Sequence, residues 1–308
     1  MRKGPSAAGG RISRLARLAC NAPLVLLVSA CGRLDELAYE PATTPVQWCQ
    51  RRPCIAVGDV VVDEPLGSFL VFLLALLWIG VGVYFLRSRR GQRSRAWLGV
   101  ALVLGGVGAA QAGISFQAFG YELKCTGREW CLLTNAFEVG YSVTQALSVS
   151  AMLIAVAYAC TAPGAWRRGL IGFAAVNAVA YGLASIAGVM LPDRTLLSFE
   201  VLMLFALPGI ALVIAVAGIR QRRSRDPLDR SLVAAAVLLL LVQVAYFSYA
   251  AAGVTQQLWR GGAGFYFSEN DVLHVGMIGW LGYVFATLGT HLRDAEKRPS
   301  GSQAGRSR

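Results

Sequence analysis

Residues 69–86 read FLVFLLALLWIGVGVYFL, a run of eighteen residues without a charged side chain. A helix rises about 1.5 Å per residue, so such a run is nearly as long as the hydrocarbon core of a bilayer is thick. Taken as 68–86, it is the first of seven apolar runs of spanning length, and the others lie near residues 97–119, 132–160, 169–191, 195–219, 231–252 and 270–292. The pattern predicts an all-α polytopic membrane protein with a seven-helix bundle over residues 68–292.

The composition of the chain agrees with this fold class. Hydrophobic residues make up 56% of the 308 and charged residues only 15%, whereas soluble domains average about a quarter charged. The net charge of +12 comes largely from arginines in short runs between apolar segments. No zinc-finger, P-loop or Rossmann pattern occurs, and no basic stretch is rich in aromatic residues. The sequence therefore indicates a lipid membrane as partner and excludes nucleic acid.

The N-terminus has the features of a targeting segment. A basic portion precedes an apolar run at 18–30 that is too short and too interrupted by proline to span, which predicts a signal peptide over residues 1–30. The sequence Val28-Ser29-Ala30-Cys31 resembles a bacterial lipobox, which would place a lipidated Cys31 at the mature N-terminus. Ordinary cleavage before Cys31 and an uncleaved anchor remain alternatives. All three place residue 32 outside the cytoplasm.

Basic residues predict the orientation of the bundle. The predicted inner loops and tail hold 17 Lys and Arg, whereas the outer segments hold 7 over a greater combined length. Because positive charge accumulates on the cytoplasmic side, the N-terminus is predicted outside and the C-terminus inside a bacterial inner membrane. Residues 31–67 would then be a periplasmic segment and residues 293–308 a disordered cytoplasmic tail.

Four cysteines fall in the predicted outer segments. Cys49 and Cys54 lie in WCQRRPC, and Cys125 and Cys131 lie in KCTGREWC. Cysteines in an oxidising compartment favour disulfides. Local pairs, Cys49–Cys54 and Cys125–Cys131, are the simplest of the three possible connectivities.

Polar side chains inside the predicted spans concentrate in their outer halves. In the third span Glu138, Tyr141, Gln145 and Ser148 follow one another at spacings of 3, 4 and 3, which is one helical stripe. Polar side chains in spans face the bundle interior or a water-filled cavity. The pattern predicts a polar cavity open to the periplasmic side; the first span lacks such residues and is predicted at the periphery. The predicted lining residues are Tyr141, Gln145, Tyr181 and Tyr246. Alternatively, the scattered amides and hydroxyls are hydrogen-bonding contacts between helices.

Three acids and one histidine are the candidates for chemistry. Glu138 and Glu200 lie within the outer halves of two spans, with no Lys or Arg assigned to neutralise them, so they are predicted to be hydrated, protonated or bound to a cation. Asp271 follows Ser268 at the start of the last span, where an ordinary helix cap is the alternative to a functional role. His274 lies on the same face, as a ligand or as a packing residue.

The layout resembles the alkaline ceramidase and progestin–adipoQ receptor superfamily of seven-helix, zinc-dependent lipid amide hydrolases. Members carry Ser and His late in helix 2, Asp near the start of helix 3 and HxxxH early in helix 7. By position Ser115 matches the serine, Glu138 the acid and His274 the first histidine of helix 7. The chain lacks the helix-2 histidine and has Ile278 in place of the second helix-7 histidine. The resemblance implies a zinc or similar divalent site at His274, Glu138 and Glu200 or Asp271, rich in oxygen for zinc.

Three functions from different classes follow. The first is a membrane-embedded hydrolase of a lipid or lipid-linked substrate, with His274 or Glu138 as base or metal ligand, Asp271 beside them, and Ser115 or tyrosines as donors to the oxyanion. The second is a non-enzymatic sensor or binding protein with the cavity as its pocket for a lipid or small molecule. The third is a transporter, which would need polar groups that continue to the cytoplasmic side.

Overall fold

The computed structural model of the chain describes residues 32–261 and 264–295. Within those ranges, seven helices are long and apolar enough to cross a membrane, as the hydrophobic runs predict. We number them α1 to α7: Pro65–Arg87, Arg93–Ala112, Ala136–Cys160, Ala165–Met190, Phe199–Ser224, Pro227–Ala251 and Glu269–His291. The predicted signal peptide and the lipidation residue Cys31 lie outside the described residues.

Polar residues fix where four of these helices begin. The Asn135 side chain caps α3 by accepting the backbone N–H two residues further on, at 2.9 Å. Ser198 and Asp226 cap α5 and α6 in the same way, and Ser268 caps α7. Such caps satisfy backbone donors that the first turn of a helix leaves unpaired. They therefore set the helix starts more sharply than hydropathy does.

Six of the seven helices form a ring. Around it α1 packs on α2, α2 on α3, α3 on α5, α5 on α6, α6 on α7, and α7 on α1 again. The remaining helix, α4, packs mainly against α3 and exposes apolar side chains such as Val176 and Leu183. The expected peripheral position of α1 is therefore wrong, because α1 closes the ring and α4 lies outside it.

Small residues explain how α1 enters the ring without a polar stripe. A Cβ atom on Gly82 of α1 would lie 2.9 Å from the carbonyl oxygen of Gly99 in α2, and one on Gly99 would lie 2.9 Å from the carbonyl oxygen of Gly82. Only glycine permits this approach of the two backbones. Close packing of small residues stabilises helix pairs without hydrogen-bonding side chains.

The end of the bundle that carries the arginine-rich loops is called the arginine end. Asp294 caps α2 there, since its carboxylate accepts the backbone N–H groups of Arg93 at 2.9 Å and Ser94 at 2.7 Å. The next residue, Ala295, donates its N–H to the Tyr158 carbonyl at 2.9 Å. Residues 293–295 are thus held against the bundle, unlike the disordered tail expected from residue 293. The remainder of that tail lies outside the described residues.

Residues 32–64 and the connection 119–135 fold together at the opposite end, called the disulfide end. We call this unit the cap. Both predicted disulfides are present in it, Cys49–Cys54 and Cys125–Cys131. Trp48 packs against the second disulfide and both are buried, so the disulfides form part of one small core above the ring.

The cap also contains two strands, which corrects the all-α prediction. Strand β1 (Cys54–Val57) pairs antiparallel with β2 (Val60–Asp63), so that Val57 faces Val60 across the turn. Gly58 in that turn has a φ of +62°, a conformation that glycine adopts without strain. Two short helices, Pro45–Arg51 and Gly120–Lys124, complete the cap.

Candidate functional site

A cavity of about 280 Å³ lies inside the ring near the disulfide end, and we call it the chamber. A second space of about 120 Å³ continues from it toward the arginine end, and the two share lining residues such as Trp78 and Tyr141. Among the described residues that line the chamber, none is Lys, Arg, Asp or Glu. Its polar lining residues are Gln117, Tyr141, Gln145, Gln243, Tyr246, Asn270 and His274.

Three of the four predicted lining residues, Tyr141, Gln145 and Tyr246, border the chamber. The fourth, Tyr181, does not. It is buried between α4 and α5, where its ring meets that of Phe205 at 5.4 Å in an edge-on contact. Because α4 lies outside the ring, its polar stripe faces α3 and α5 rather than the interior.

Several polar atoms near the chamber have no hydrogen-bond partner among the described residues. They are Gln117 Oε1, Gln243 Oε1, His274 Nδ1 and the indole nitrogen Trp78 Nε1. Buried polar atoms are normally paired, because an unpaired one costs about 1–3 kcal/mol. The chamber therefore offers two amide acceptors, an imidazole nitrogen and one indole N–H donor to an occupant. Apolar side chains, Val71, Leu74 and Met277 among them, supply much of the remaining lining.

Glu138 lies outside the chamber lining, in a network of its own. Its Oε1 accepts a hydrogen bond from Ser115 Oγ at 2.8 Å and forms an ion pair with Lys124 Nζ. Asn135 Nδ2 in turn donates to Ser115 Oγ at 2.6 Å. The Ser115 side chain is fully buried. These two predicted catalytic residues therefore contact each other, but a substrate in the chamber would not contact them directly.

Lys124 overturns the expectation that no cation neutralises Glu138. It lies in the cap rather than in a span, and its side chain turns inward so that only 1% of the residue is exposed. Its ammonium also donates to the Leu133 carbonyl at 3.0 Å and to Tyr39 Oη at 3.3 Å. Burial alone would lower the pKa of Lys124, but the charges and hydrogen bonds of Glu138 and Tyr39 together outweigh it and the net direction is upward. Glu138 is thus one half of a buried ion pair.

Asp271 is part of a capping box. One carboxylate oxygen, Oδ2, accepts the backbone N–H of Ser268 at 2.7 Å and the Ser268 hydroxyl at 3.1 Å. The Asp271 N–H returns a bond of 3.3 Å to Ser268 Oγ. The other oxygen, Oδ1, is buried and has no hydrogen-bond partner among the described residues. A helix-capping role accounts for one carboxylate oxygen of Asp271 and leaves the second without a role.

Glu64, which the sequence did not single out, is buried next to this region. Its Oε1 accepts bonds of 3.0 Å from Arg52 and from Tyr266 Oη, whereas Oε2 has no hydrogen-bond partner among the described residues. Burial raises the pKa of Glu64 to about 7, and Asp271 is among the groups that raise it further, against the opposing effects of Arg52 and Tyr266. The position also has a φ of +41°, uncommon for a residue with a side chain.

The predicted metal ligands do not converge. Among the described residues, no group of three or more His, Cys, Asp and Glu side chains is arranged to hold a metal ion. His274 lines the chamber, Glu138 is paired with Lys124, and Glu200 is exposed in the first turn of α5. The zinc site implied by the resemblance therefore stays a prediction without a gathered ligand set.

The fold and site together define a helical protein with seven potential membrane-spanning helices and a polar chamber inside their ring. No protein-family model matches the chain, and neither a curated protein nor a solved structure matches it. The ceramidase-like resemblance rests on helix layout and on Ser115, Glu138 and His274 alone. What the protein does has to be argued from the chamber and its surroundings.

Proposed function

We propose that this chain is a multi-pass membrane protein that binds a small molecule, polar at one side and apolar at the other, in the chamber. The observation that carries the proposal is the set of unpaired polar atoms beside apolar side chains in one cavity of the ring. Ligand sites are typically concave, largely apolar and fitted with a few polar groups, over roughly 300–1,000 Å³. At about 280 Å³ the chamber lies just below that range, which suits a ligand smaller than a whole lipid.

A hydrolase, the function favoured by the resemblance, has less support from this geometry. Acyl transfer needs a nucleophile, a base and oxyanion donors around one reacting atom. Ser115 and Glu138 are hydrogen-bonded to each other and do not line the chamber, whereas His274 does. Binding requires only the residues that do line the space, so a sensor or binding protein is the function that we propose.

We further propose that the disulfide end faces the periplasm and the arginine end the cytoplasm of a bacterial inner membrane. The excess of basic residues in the loops at one end and the two disulfides at the other support the same orientation. The N-terminal targeting segment supports it independently.

Reporter fusions test this orientation. A reporter that is active only outside the cytoplasm should be active after Trp259, which lies at the disulfide end with its indole 3.3 Å from the Gln50 carbonyl. The same reporter should be silent after Arg225, the residue that ends α5 at the arginine end. Activity after Arg225 and silence after Trp259 would reverse the proposed orientation.

A photoactivatable octanol tests ligand binding, because it has one hydroxyl and an apolar chain of suitable size. After illumination of the purified chain in nanodiscs, mass spectrometry should find labelled chamber residues such as Tyr141 or Tyr246. Excess octanol should compete with this label, since a site saturates and bulk lipid does not. The variant Ala112→Leu, which extends a buried side chain into the chamber, should reduce chamber labelling at least fivefold.

The matched control is Ala245→Leu, the same substitution at an exposed position of α6. It should leave chamber labelling unchanged. Label that stays on outward residues such as Val176, resists competition and ignores Ala112→Leu would refute a binding chamber.

A further inference from the structure

Two buried carboxylates meet a buried amide at Gly67, in the first turn of α1. An ideal Cβ on Gly67 would lie 3.1 Å from Asp271 Oδ1, 3.4 Å from Glu64 Oε2 and 3.2 Å from Gln117 Cγ. The two carboxylate oxygens are therefore no more than about 6.5 Å apart, the sum of the first two distances. The absence of a side chain at Gly67 leaves space between three elements: the end of the cap, α7 and the π-helix Gly113–Ala118 that follows α2.

The atoms around this space are the ones without partners. Glu64 Oε2, Asp271 Oδ1 and Gln117 Oε1 have no hydrogen-bond donor among the described residues. The exposed fractions of the three residues are 3%, 1% and 2%, so solvent does not reach them freely. Two carboxylate oxygens at one space, with the side chain of Gln117 beside them and no donor to any of the three acceptors among the described residues, favour a positively charged group.

The local charges leave at least one carboxylate without a cation. At Gly67 itself Glu64 and Asp271 contribute two carboxylates, and Arg52 offsets one of them through its bond of 3.0 Å to Glu64 Oε1. Asp63 and Glu269 add negative charge nearby. We infer that a singly charged cation binds over Gly67, held by Glu64, Asp271 and the amide oxygen of Gln117. Its charge would balance the remaining carboxylate, which is costly to bury unpaired.

The cation has two possible sources with the same chemistry. It can be a free metal ion such as Na⁺, for which oxygen atoms are suitable ligands, or the ammonium group of an organic molecule. Gln117 connects the second source with the chamber, because this residue borders both Gly67 and the chamber. A chamber ligand with an amino group would place its ammonium at Gly67 and its apolar part against Trp78, and this second source rests on the proposed function.

Thermal unfolding of the full chain in nanodiscs tests the inference. At pH 8, where the pKa of Glu64 of about 7 leaves its carboxylate mostly ionised, NaCl and butylammonium chloride are titrated at ionic strength held constant with choline chloride. The quaternary nitrogen of choline carries no N–H and therefore cannot donate hydrogen bonds to the acceptors at Gly67. A bound cation should raise Tm by about 5 °C at a hundred times Kd, whereas choline should not.

Two variants on α1 make the test specific. Gly67→Ala places a methyl group 3.1 Å from Asp271 Oδ1 and 3.4 Å from Glu64 Oε2, and it should abolish the shift in Tm, although alanine favours a helix. Gly80→Ala, with nothing within 4 Å of its Cβ, should keep the shift. Asp271→Asn should also abolish it while keeping a side-chain oxygen that accepts the Ser268 N–H, because a neutral amide can fill the third helical position of a capping box.

The outcomes separate the two sources and the two proposals. A response to Na⁺ that survives Ala112→Leu supports the metal ion and stands even if no octanol labels the chamber. A response to butylammonium alone, lost in Ala112→Leu, supports the ammonium of a chamber ligand. No shift with either cation, or equal shifts in the wild type and Gly67→Ala, would overturn the cation site.

Discussion

Replacement of Lys124 by Met is expected to lower the free energy of unfolding by about 3–5 kcal/mol, the range for breaking one half of a buried ion pair. The methionine keeps the apolar stem but leaves the Glu138 carboxylate buried with only the Ser115 hydroxyl as donor. The loss is read from SDS titration of the purified protein in mixed micelles, with helix content as the signal.

Two comparisons isolate the ion pair. The double variant Lys124→Met with Glu138→Leu should recover much of the loss, because it removes both charges. Arg128→Met breaks the ion pair with Asp35 at 3.1 Å, whose side chains are 37% and 49% exposed, and should cost at most about 1 kcal/mol. If Lys124→Met is as mild as Arg128→Met, the Lys124–Glu138 pair does not form.

Removal of the Cys125–Cys131 disulfide is expected to have the second-largest effect. The bond closes a short loop with a sequence separation of 6, for which chain entropy gives about 2–3 kcal/mol. Replacing both residues by Ala also frees Lys124, the neighbour of Cys125, to leave Glu138. The total loss should therefore exceed the entropic term, and the same SDS titration measures it.

The other disulfide provides a matched control. Cys49–Cys54 has a sequence separation of 5, so its loop entropy is nearly the same, but it fastens the hairpin rather than the loop that carries Lys124. Replacing Cys49 and Cys54 by Ala should cost about 2–3 kcal/mol. Equal losses for the two disulfides would mean that Cys125–Cys131 does not help to position Lys124.

The sequence predicts the long helices well because one property decides them. A span needs about twenty apolar residues, and hydropathy records that directly. The predicted third span starts at residue 132, whereas α3 starts after its N-cap residue Asn135. Hydropathy does not record this helix cap. The disulfides were also predictable, because each pair is close in sequence and lies in one predicted loop.

The partners of the buried acids were not predictable in the same way. Lys124 lies in a loop by hydropathy, and only the cap brings its ammonium to Glu138. Glu64 precedes the first span and looks like an ordinary flanking charge until Tyr266, 202 positions later, donates to it. Contacts between residues of different elements depend on how the cap packs on the ring. The polar stripe of a single span carries no information about that packing.

A π-helical turn further limits what periodicity can predict. The end of α2 continues as a π-helix over Gly113–Ala118, and each such turn holds more residues than an α-turn. Ser115 therefore faces Glu138 while Gln117, two positions later, borders the chamber. Gly113 is only a weak sequence signal for a π-helical turn. The spacing of Ser115 and Gln117 therefore could not predict that one contacts Glu138 and the other borders the chamber.

The closure of the ring by α1 and α7 has a consequence for how the protein is made. Of the seven long helices these two are the first and the last to be translated, and about 200 residues separate the end of α1 from the end of α7. At roughly 5–20 residues per second, translation of that length takes about 10–40 s. During this interval Trp78 and Gln117 have no α7 against them, so the chamber is completed only after the last of the seven helices has been made.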